Sequence, residues 1–448
     1  MNYQQTLDYI NAFIDYEKKT DFSYTDFKLE RVEKLLALIG NPQTKFNLIH
    51  VAGTKGKGST CAFIYNILKA GGYRVGLYTS PHLISFRERI RAATPTPLQT
   101  KDSYITDEEF AGLISEISPQ IEKLKTEQQI GEFSFFDVLT VIAFMFFAKK
   151  RVDYAVLETG LGGRLDATNV VRAQVAVITD ISLDHTSLLG DCLEKIAREK
   201  SGIIKHNYLV VTAPQQIEVL KVVQESCRNT NSKLYEVGRE LVYGSVVQNM
   251  KETFFDVEGI FRDNYRGLKI HLLGHHQVVN ATAALGAVEL LRLFDTVLSP
   301  LAIKKGLMNT RWPGRMQVVG EKPYIILDAA QNNASLLSVK KTLRDVFVYN
   351  KVIAIVGMSK DKDVKSFLEI LSGIAGQIIL TSAKNPRAFS LEDLKKMLNG
   401  YSGRREVMMD IPSSIAAAKR IAARDDIILI TGSCYVLGEA MEVLGVEV

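Results

Sequence analysis

Short runs rich in Val, Ile and Tyr recur along the chain, each followed by a longer stretch in which apolar residues return at helical spacing. The runs at 46–51, 74–78, 153–157, 174–179 and 208–212 are largely apolar rather than alternating. Strands of that kind are covered on both faces, and the helical patterns at 60–70, 135–149 and 193–201 would supply the covering layers. The pattern predicts an α/β fold built on a parallel sheet. Residues 232–272 read differently: apolar and polar positions alternate at 241–247 and 254–261, and Asn264-Tyr265-Arg266-Gly267 reads as a turn. Antiparallel strands beside the parallel sheet are expected there. Helical spacing returns at 278–294. After Ser299-Pro300 and Arg311-Trp312-Pro313-Gly314-Arg315, a second series of apolar runs occupies 324–327, 352–356, 377–380 and 427–430. The boundary lies near 297–312 and divides a domain of residues 1–298 from a smaller one of 299–448.

Length and composition bound this picture without altering it. A chain of 448 residues with 46% apolar and 23% charged positions has ample material for two large cores and is neither disordered nor fibrous. Lys and Arg total 55 against 50 acidic residues, a net charge of +5. That surplus suits anionic small molecules and falls short of the basic stripe of a nucleic-acid binder. The most apolar run, 138–148, ends in Lys149-Lys150-Arg151, short of the roughly 20 residues a membrane span needs. Asp8, Asp15 and Glu17 interrupt any signal-peptide pattern at the N-terminus. Cys61, Cys192, Cys227 and Cys434 are scattered without a CxxC pair, as expected of reduced thiols in a cytoplasm.

The sharpest chemical signal is Gly53-Thr54-Lys55-Gly56-Lys57-Gly58-Ser59-Thr60, between an apolar run and a helical pattern. Glycines there let successive N–H groups turn toward phosphate oxygens, and the helix start adds a field that favours negative charge. Lys57 would supply a mobile cation, and Ser59 or Thr60 could approach a magnesium ion. The usual GxxxxGK[ST] order is not met, because Ser59 follows Gly58. A plain surface turn is the alternative, and the position between strand and helix argues against it. Ser80, Glu158 and His185 stand just beyond three of the apolar runs, where ligands gather in parallel sheets.

This shortened loop, together with a series of downstream segments, resembles the folylpolyglutamate synthase/dihydrofolate synthase family within the Mur-type ATP-dependent amide ligases. The matching segments run in order through nearly the whole chain: Thr79-Ser80-Pro81-His82-Leu83, Glu88-Arg89-Ile90, the stretch from Glu158 to Asn169, Asp184-His185-Thr186, and Glu199-Lys200-Ser201-Gly202. His276-Gln277, Asn280-Ala281, Pro313-Gly314-Arg315, Gly357-Met358, Asp361-Lys362-Asp363 and Thr431-Gly432-Ser433 complete the series. The resemblance implies a P-loop ATP-binding domain followed by a Rossmann-like glutamate-ligase domain. It implies ATP with magnesium, two ions in the family pattern, and a monovalent cation such as K+. Ser59, Ser80, Glu158 and His185 would be metal contacts, and Lys200 would join them as a carbamate formed with carbon dioxide. Lys57, His185 and Lys200 would be the catalytic set.

Further roles are implied by the same likeness. Gln277 and Asn280, three apart at a helix start, would read adenine, with helix capping as the alternative for each. Arg315 would reach the phosphates on closure, or form an interdomain ion pair. Asp328 would serve the ribose or a phosphate-bound network. Arg387, in Asn385-Pro386-Arg387, would take the α-carboxylate of the incoming amino acid. The loop 81–91 would cover the pterin, with His82, Phe86 and Arg89 contributing contacts or serving only as loop residues. The chain departs from the family at Gln331, where a histidine is usual, and at Gln317, where glutamate is frequent; Gln331 cannot titrate near neutral pH. The implied reaction joins L-glutamate to a folate or dihydropteroate carboxylate through an acyl phosphate, in a monomeric enzyme without nucleic-acid or membrane partners. The competing readings are a Mur-like ligase for another acid and amino acid, and a nucleotide-binding regulator that no longer ligates.

Overall fold

A computed structural model of the chain describes residues 1–16, 26–95, 100–126, 131–397 and 403–446. The first sheet contains β1 (Asn47–Ala52), β2 (Val75–Tyr78), β3 (Ile90–Pro95), β4 (Thr100–Tyr104), β5 (Tyr154–Glu158), β6 (Val175–Ile178), β7 (Leu209–Thr212) and β8 (Lys233–Glu236). Their spatial order is β4-β3-β2-β5-β1-β6-β7-β8, parallel from β2 to β8, with β3 and β4 added antiparallel at one edge. β1 sits centrally, pairing Ile49 with Val156 on one side and Val175 on the other. Its side chains alternate between two cores: Leu48 and Ala52 pack with the helices Leu29–Leu38, Asp107–Lys125 and Phe135–Lys150, while Ile49 and Val51 pack with Lys57–Ala70 and His275–Leu290. This two-faced burial is why the runs lack alternation.

The antiparallel region is a separate sheet of β9 (Val242–Gln248), β10 (Thr253–Glu258) and β11 (Asn264–Ile270), in the order β11-β10-β9. The structure corrects two expectations in this region. Asn264-Tyr265-Arg266-Gly267 is strand, not turn; the reversal lies at 259–263, where the Gly259 amide donates to the Asp263 carbonyl (2.9 Å). Tyr265, Leu268 and Ile270 are buried in the core, and that burial holds the segment in the sheet. Residues 233–236 likewise leave the antiparallel group, because β8 runs parallel to β7 as the last strand of the main sheet.

The third sheet comprises β12 (Gln317–Glu321), β13 (Tyr324–Leu327), β14 (Val352–Val356), β15 (Gln377–Leu380), β16 (Arg404–Val407) and β17 (Ile427–Thr431). Its order, β12-β13-β17-β14-β15-β16, is parallel except for β12. The helix Pro300–Asn309 packs into the first body: a Cβ on Gly306 would stand 2.3 Å from Ile67 Cα, and Ile303 and Leu307 join the N-terminal core. The chain therefore crosses to the second body over residues 310–316. The helical segment His275–Phe294 is long and apolar enough to cross a membrane, and 78% of its apolar window is buried against these cores.

Candidate active site

Both parallel sheets direct the carboxyl ends of their strands toward one cleft. β1 ends at Ala52, and the chain turns through Gly53 (φ +154°) and Gly56 (φ +84°). A Cβ on Gly53 would lie 1.8 Å from Thr179 Oγ1, and one on Gly56 would lie 2.3 Å from Asn280 Oδ1. Only glycine allows the loop to press this closely on its neighbours. The Thr54 and Lys55 amides donate to the Asp180 carbonyl (2.7 and 3.2 Å), which pins the loop to the segment after β6. The helix opens at Lys57, earlier than residue 60 expected from apolar spacing, and its N-cap Gly56 offers no side chain to the first-turn amides. Those amides remain directed at the cleft as an anion seat.

Lys57 Nζ stands 4.0 Å from Glu158 Oε1 at the end of β5. Burial raises the Glu158 carboxyl above the ordinary carboxylate value, against the opposing pull of Lys57. Ser80 donates its amide to Glu158 Oε2 (3.2 Å). Thr60 Oγ1 is buried with no hydrogen-bond partner among the described residues. The buried Glu158 carboxylate at the mouth of the phosphate loop is a hard-oxygen ligand of the kind magnesium takes, with a nucleotide's phosphates and water completing the set. Lys200 lies on the helix Leu193–Ser201, buried, with Nζ donating to the Gly53 carbonyl (2.8 Å). Burial, helped by the neighbouring Lys57 charge, pulls its proton affinity down to about 7. His185 is a neutral imidazole, lowered by burial and then by Lys362 to about 3. Its Nε2 faces Lys362 Nζ at 3.4 Å. Lys55 and Lys362 gather beside His185 with their charges matched by Asp184 and Asp361, and Lys200 lines the same cleft.

The second body contributes the opposite wall. Lys362 Nζ meets Asp184 Oδ1 (2.9 Å) and Asp361 Oδ2 (3.3 Å), while Asp184 Oδ2 accepts from Lys55 Nζ (2.9 Å) and Asn332 Nδ2 (3.2 Å). Burial pulls the Asp184 carboxyl upward, but Lys55 and Lys362 outweigh it and hold the group well below the usual range. Arg387 pairs with Asp361 (2.6 Å), which Lys362 and Arg387 together keep low despite its burial. Arg315 lies with Glu158, Ser80 and Trp312 around a cavity of about 60 Å³. Gln277 and Asn280 bond to each other, Asn280 Nδ2 donating to Gln277 Oε1 (3.1 Å). Asp328 turns both carboxylate oxygens to backbone amides, those of Met316 and Ala330 (2.8 and 2.9 Å). Gln317 Oε1 accepts from the Gly314 amide (2.9 Å), so this amide shapes the crossing between the two bodies. Gln331 lines the cleft, and its neighbour Asn332 caps the helix Asn333–Val346.

The cleft has a volume of about 360 Å³ and carries Lys57, Ser80, His185, Lys200 and Arg387 on its walls. His82, Phe86 and Arg89 do not line it. His82 Nδ1 accepts from Arg89 (2.9 Å), and Phe86 packs on Phe110 with ring centroids 4.5 Å apart. The apolar end of the cleft is formed instead by Phe136, Leu161 and Leu188, with Tyr16 and Phe27 nearby. Asp166 closes that end; its Oδ2 accepts from the Gly160 and Leu161 amides, both at 2.9 Å.

Residues 51–288 match the Mur ligase middle domain, and residues 314–434 match the Mur ligase glutamate ligase domain. A dihydrofolate synthase/folylpolyglutamate synthase from Bacillus subtilis is 34% identical over 417 residues, 92% of this chain and 93% of that protein. The chain belongs to the folylpolyglutamate synthase/dihydrofolate synthase family of Mur ligases. It is similar in structure to a folylpolyglutamate synthase from Mycobacterium tuberculosis complexed with ADP, with a TM-score of 0.90, 29% identity, and coverage of 99% of this chain and 98% of that one. An Escherichia coli relative in complex with DHPP and ADP has a TM-score of 0.83 and 27% identity, covering 99% and 98% of the two chains.

Several groups in this ligase cleft are not apparent from sequence. Asp184 is visible in the Asp-His-Thr segment, yet its place between Lys55 and Lys362 depends on how the domains meet. Phe136 and Asp166 sit on separate elements, and spacing gives no sign that they share a wall. Among the described residues no cluster of three or more His, Cys, Asp or Glu side chains forms a ready metal centre. The donor set is instead mixed, and the phosphates of a bound nucleotide would complete it.

Proposed function

We propose that this chain joins L-glutamate to the carboxylate of a folate or dihydropteroate with hydrolysis of ATP to ADP and phosphate. The observation that carries this reading is the meeting of three features in one cleft. A glycine-built anion seat lies beside Lys57, the cations Lys362 and Arg387 come from the other domain, and an aromatic and aliphatic recess forms one end of the same cleft. Each suits one of the three reactants.

The acceptor carboxylate attacks the γ-phosphorus, ADP departs, and an acyl phosphate results. The glutamate amine then attacks the carbonyl carbon, loses a proton, and phosphate leaves. The first-turn amides of Lys57–Ala70 and the Lys57 ammonium would hold the phosphates in place as negative charge moves toward ADP. Glu158, Ser59, Ser80 and Thr60 would hold magnesium, which when bound supplies charge neutralisation on the phosphates. Arg315 would add a cation from the domain crossing. Gln277 and Asn280 would present their paired amides to adenine, and Asp328 would act through the backbone of 316–330. Arg387 and Lys362 would receive the glutamate carboxylates, leaving Asp361 to balance them.

His185, its proton affinity lowered to about 3, and Asp361, held low by Lys362 and Arg387, are both weak bases, so the departing phosphate would take the proton that the amine sheds. Docking of the two domains excludes water that would consume the acyl phosphate. Lys200 would react as its neutral amine with carbon dioxide, the nitrogen giving up a proton to solvent as the N–C bond forms, and the resulting carbamate would be an anion able to hold a second metal beside His185. A bound K+, a monomeric state and a cytoplasmic location complete the proposal. Phe136, rather than Phe86, would stack on the pterin ring.

Mass spectrometry of the products formed from dihydropteroate and from tetrahydrofolate, with glutamate and MgATP, tests the reading. An added mass of one glutamyl residue with matching ADP release is the expected result. ADP release stimulated only by a UDP-muramoyl acceptor would replace it with a cell-wall ligase. Nucleotide binding without turnover would leave a regulator.

A further inference from the structure

The segment leaving β2 spans the distance between the nucleotide site and the other domain in a few residues. At its start Ser80 touches Glu158 through its amide. Three residues later Leu83 packs against the apolar core of the C-terminal body. Between and beyond them, Glu88 collects consecutive amides: Leu83 N on Oε2 (2.8 Å), and Ile84 N and Ser85 N on Oε1 (2.8 and 2.5 Å). A carboxylate accepting three charge-assisted bonds holds the turn in one shape. Leu83 is thereby presented as a fixed knob.

The receiving surface is built from two glycines. Gly438 lies inside the helix Cys434–Leu444, where a Cβ would stand 2.0 Å from the Leu83 carbonyl oxygen and 2.9 Å from its carbon. Glycine is disfavoured in helix interiors, and here the close approach of Leu83 accounts for it. The atoms in the way belong to a backbone held by Glu88, so they cannot step aside as a flexible side chain would. Gly314 (φ +69°) forms the other side, with the place of its Cβ 3.6 Å from Leu83 Cδ1 and 2.9 Å from Leu437 Cδ2. From the same crossing segment Trp312 lies on the phosphate-loop helix, its Nε1 2.9 Å from where a Cβ of Gly58 would be.

We propose that Leu83, seated between Gly438 and Gly314, is the positioning contact through which docking of the C-terminal domain sets Ser80 and Glu158 at the phosphate loop. Leu83 touches no reacting atom. With the domain docked, the short stretch from Ser80 to Leu83 is anchored at both ends; undocked, it is anchored only at the nucleotide side. Assembly of the magnesium-side groups is then tied to closure, and ATP bound to an open enzyme meets an incompletely placed Ser80. The activity arm of the test rests on the ligase reading, whereas the mechanical arm does not.

Gly438→Ala is the direct test. Its Cβ meets the Leu83 carbonyl and drives Leu83 off its seat, and the gain in helix propensity offsets part of the lost packing, so the chain is expected to fold with a lowered melting temperature. The proposal expects kcat for glutamate-dependent ADP release to fall at least tenfold, with ADP affinity by calorimetry within twofold of the parent. X-ray scattering should give a larger radius of gyration with a non-hydrolysable ATP analogue bound. Leu83→Ala, which keeps the backbone turn and removes the knob, should lower kcat and enlarge the radius of gyration in the same way with ADP affinity again within twofold, and the double variant should be no worse than Gly438→Ala. Gly112→Ala, at a helix position with nothing within 4 Å of its Cβ, is the control and should match the parent. Parental kcat or parental scattering in Gly438→Ala would overturn the proposal, as would equal losses of kcat and nucleotide affinity. Absence of glutamate-dependent turnover in the parent would count against the ligase reading alone, and scattering would still decide the positioning contact.

Discussion

Lys200 carries a stability cost whose pH dependence can be worked out from its burial. Its proton affinity falls from an ordinary 10.5 to about 7 in the folded chain, chiefly because burial strips water from the ammonium. At 1.36 kcal/mol per tenfold change in proton affinity, holding that ammonium inside costs about 5 kcal/mol. The sign comes from proton linkage. Below pH 7 both folded and unfolded chains carry the charge, so the folded state bears the whole cost. Between pH 7 and 10.5 the folded state has shed its proton while the unfolded state keeps it, and stability rises with pH. Above 10.5 the cost has gone. Lys200→Met removes the charge and also the bond to the Gly53 carbonyl, a loss of about 1 kcal/mol. The variant should therefore be more stable by about 4 kcal/mol at pH 6 and by about 1 kcal/mol at pH 9. Urea unfolding followed by circular dichroism, in bicarbonate-free buffer without nucleotide, measures both. An equal gain at the two pH values, or a loss at pH 6, would refute the reasoning.

The same lysine should gain a carbamate carbonyl signal in carbon-13 NMR when bicarbonate labelled with that isotope is added at pH 8, and Lys200→Ala should lose most turnover and recover part of it with acetate. Unchanged activity in Lys200→Ala would remove the carbamate from the mechanism. Gly56→Ala places a Cβ 2.3 Å from Asn280 Oδ1 at φ +84°; nucleotide affinity by calorimetry should fall by more than tenfold, and adding Asn280→Ala should not restore it, because the backbone strain stays and the adenine contact is lost. Phe136→Ala should raise the pterin KM about tenfold, as expected for a lost aromatic contact, with the KM for ATP unchanged; steady-state kinetics with each substrate varied reads the difference, and equal shifts in both would place the pterin elsewhere.

Where apolar runs are buried on both faces, sequence and structure agree closely: β1, β5, β6 and β7 lie within a residue or two of the expected positions. The hairpin β3–β4 is not legible in the sequence, because its stability depends on charges. Arg91 bonds Asp102 through Nε and Nη2 (2.6 and 2.7 Å) across the two strands and lies over Tyr65 and Tyr104. Such strands do not look apolar, since each charge is satisfied by a partner many positions away. The helix start at Lys57 is hidden for a related reason: glycines at 56 and 58 lower helix propensity while serving the anion seat. The phosphate loop is readable because its chemistry lies in contiguous residues. The pairing of Asp184 with Lys362, and the recess around Phe136, come from elements brought together only by the fold. Family resemblance assigns the loop 81–91 to the pterin, yet Phe86 packs among Tyr3 and Phe110, and Leu83 faces the second domain.

Trp312 is the single tryptophan among 448 residues, and it lies on Gly58, where the nucleotide seat and the domain crossing meet. The chain thus contains one indole emitter, placed where both a phosphate group and the approach of the C-terminal domain alter its surroundings. Its emission spectrum reports on that point and on no other. ATP binding, docking and release can therefore be followed by stopped-flow fluorescence in the unlabelled enzyme, with no background from a second indole to subtract.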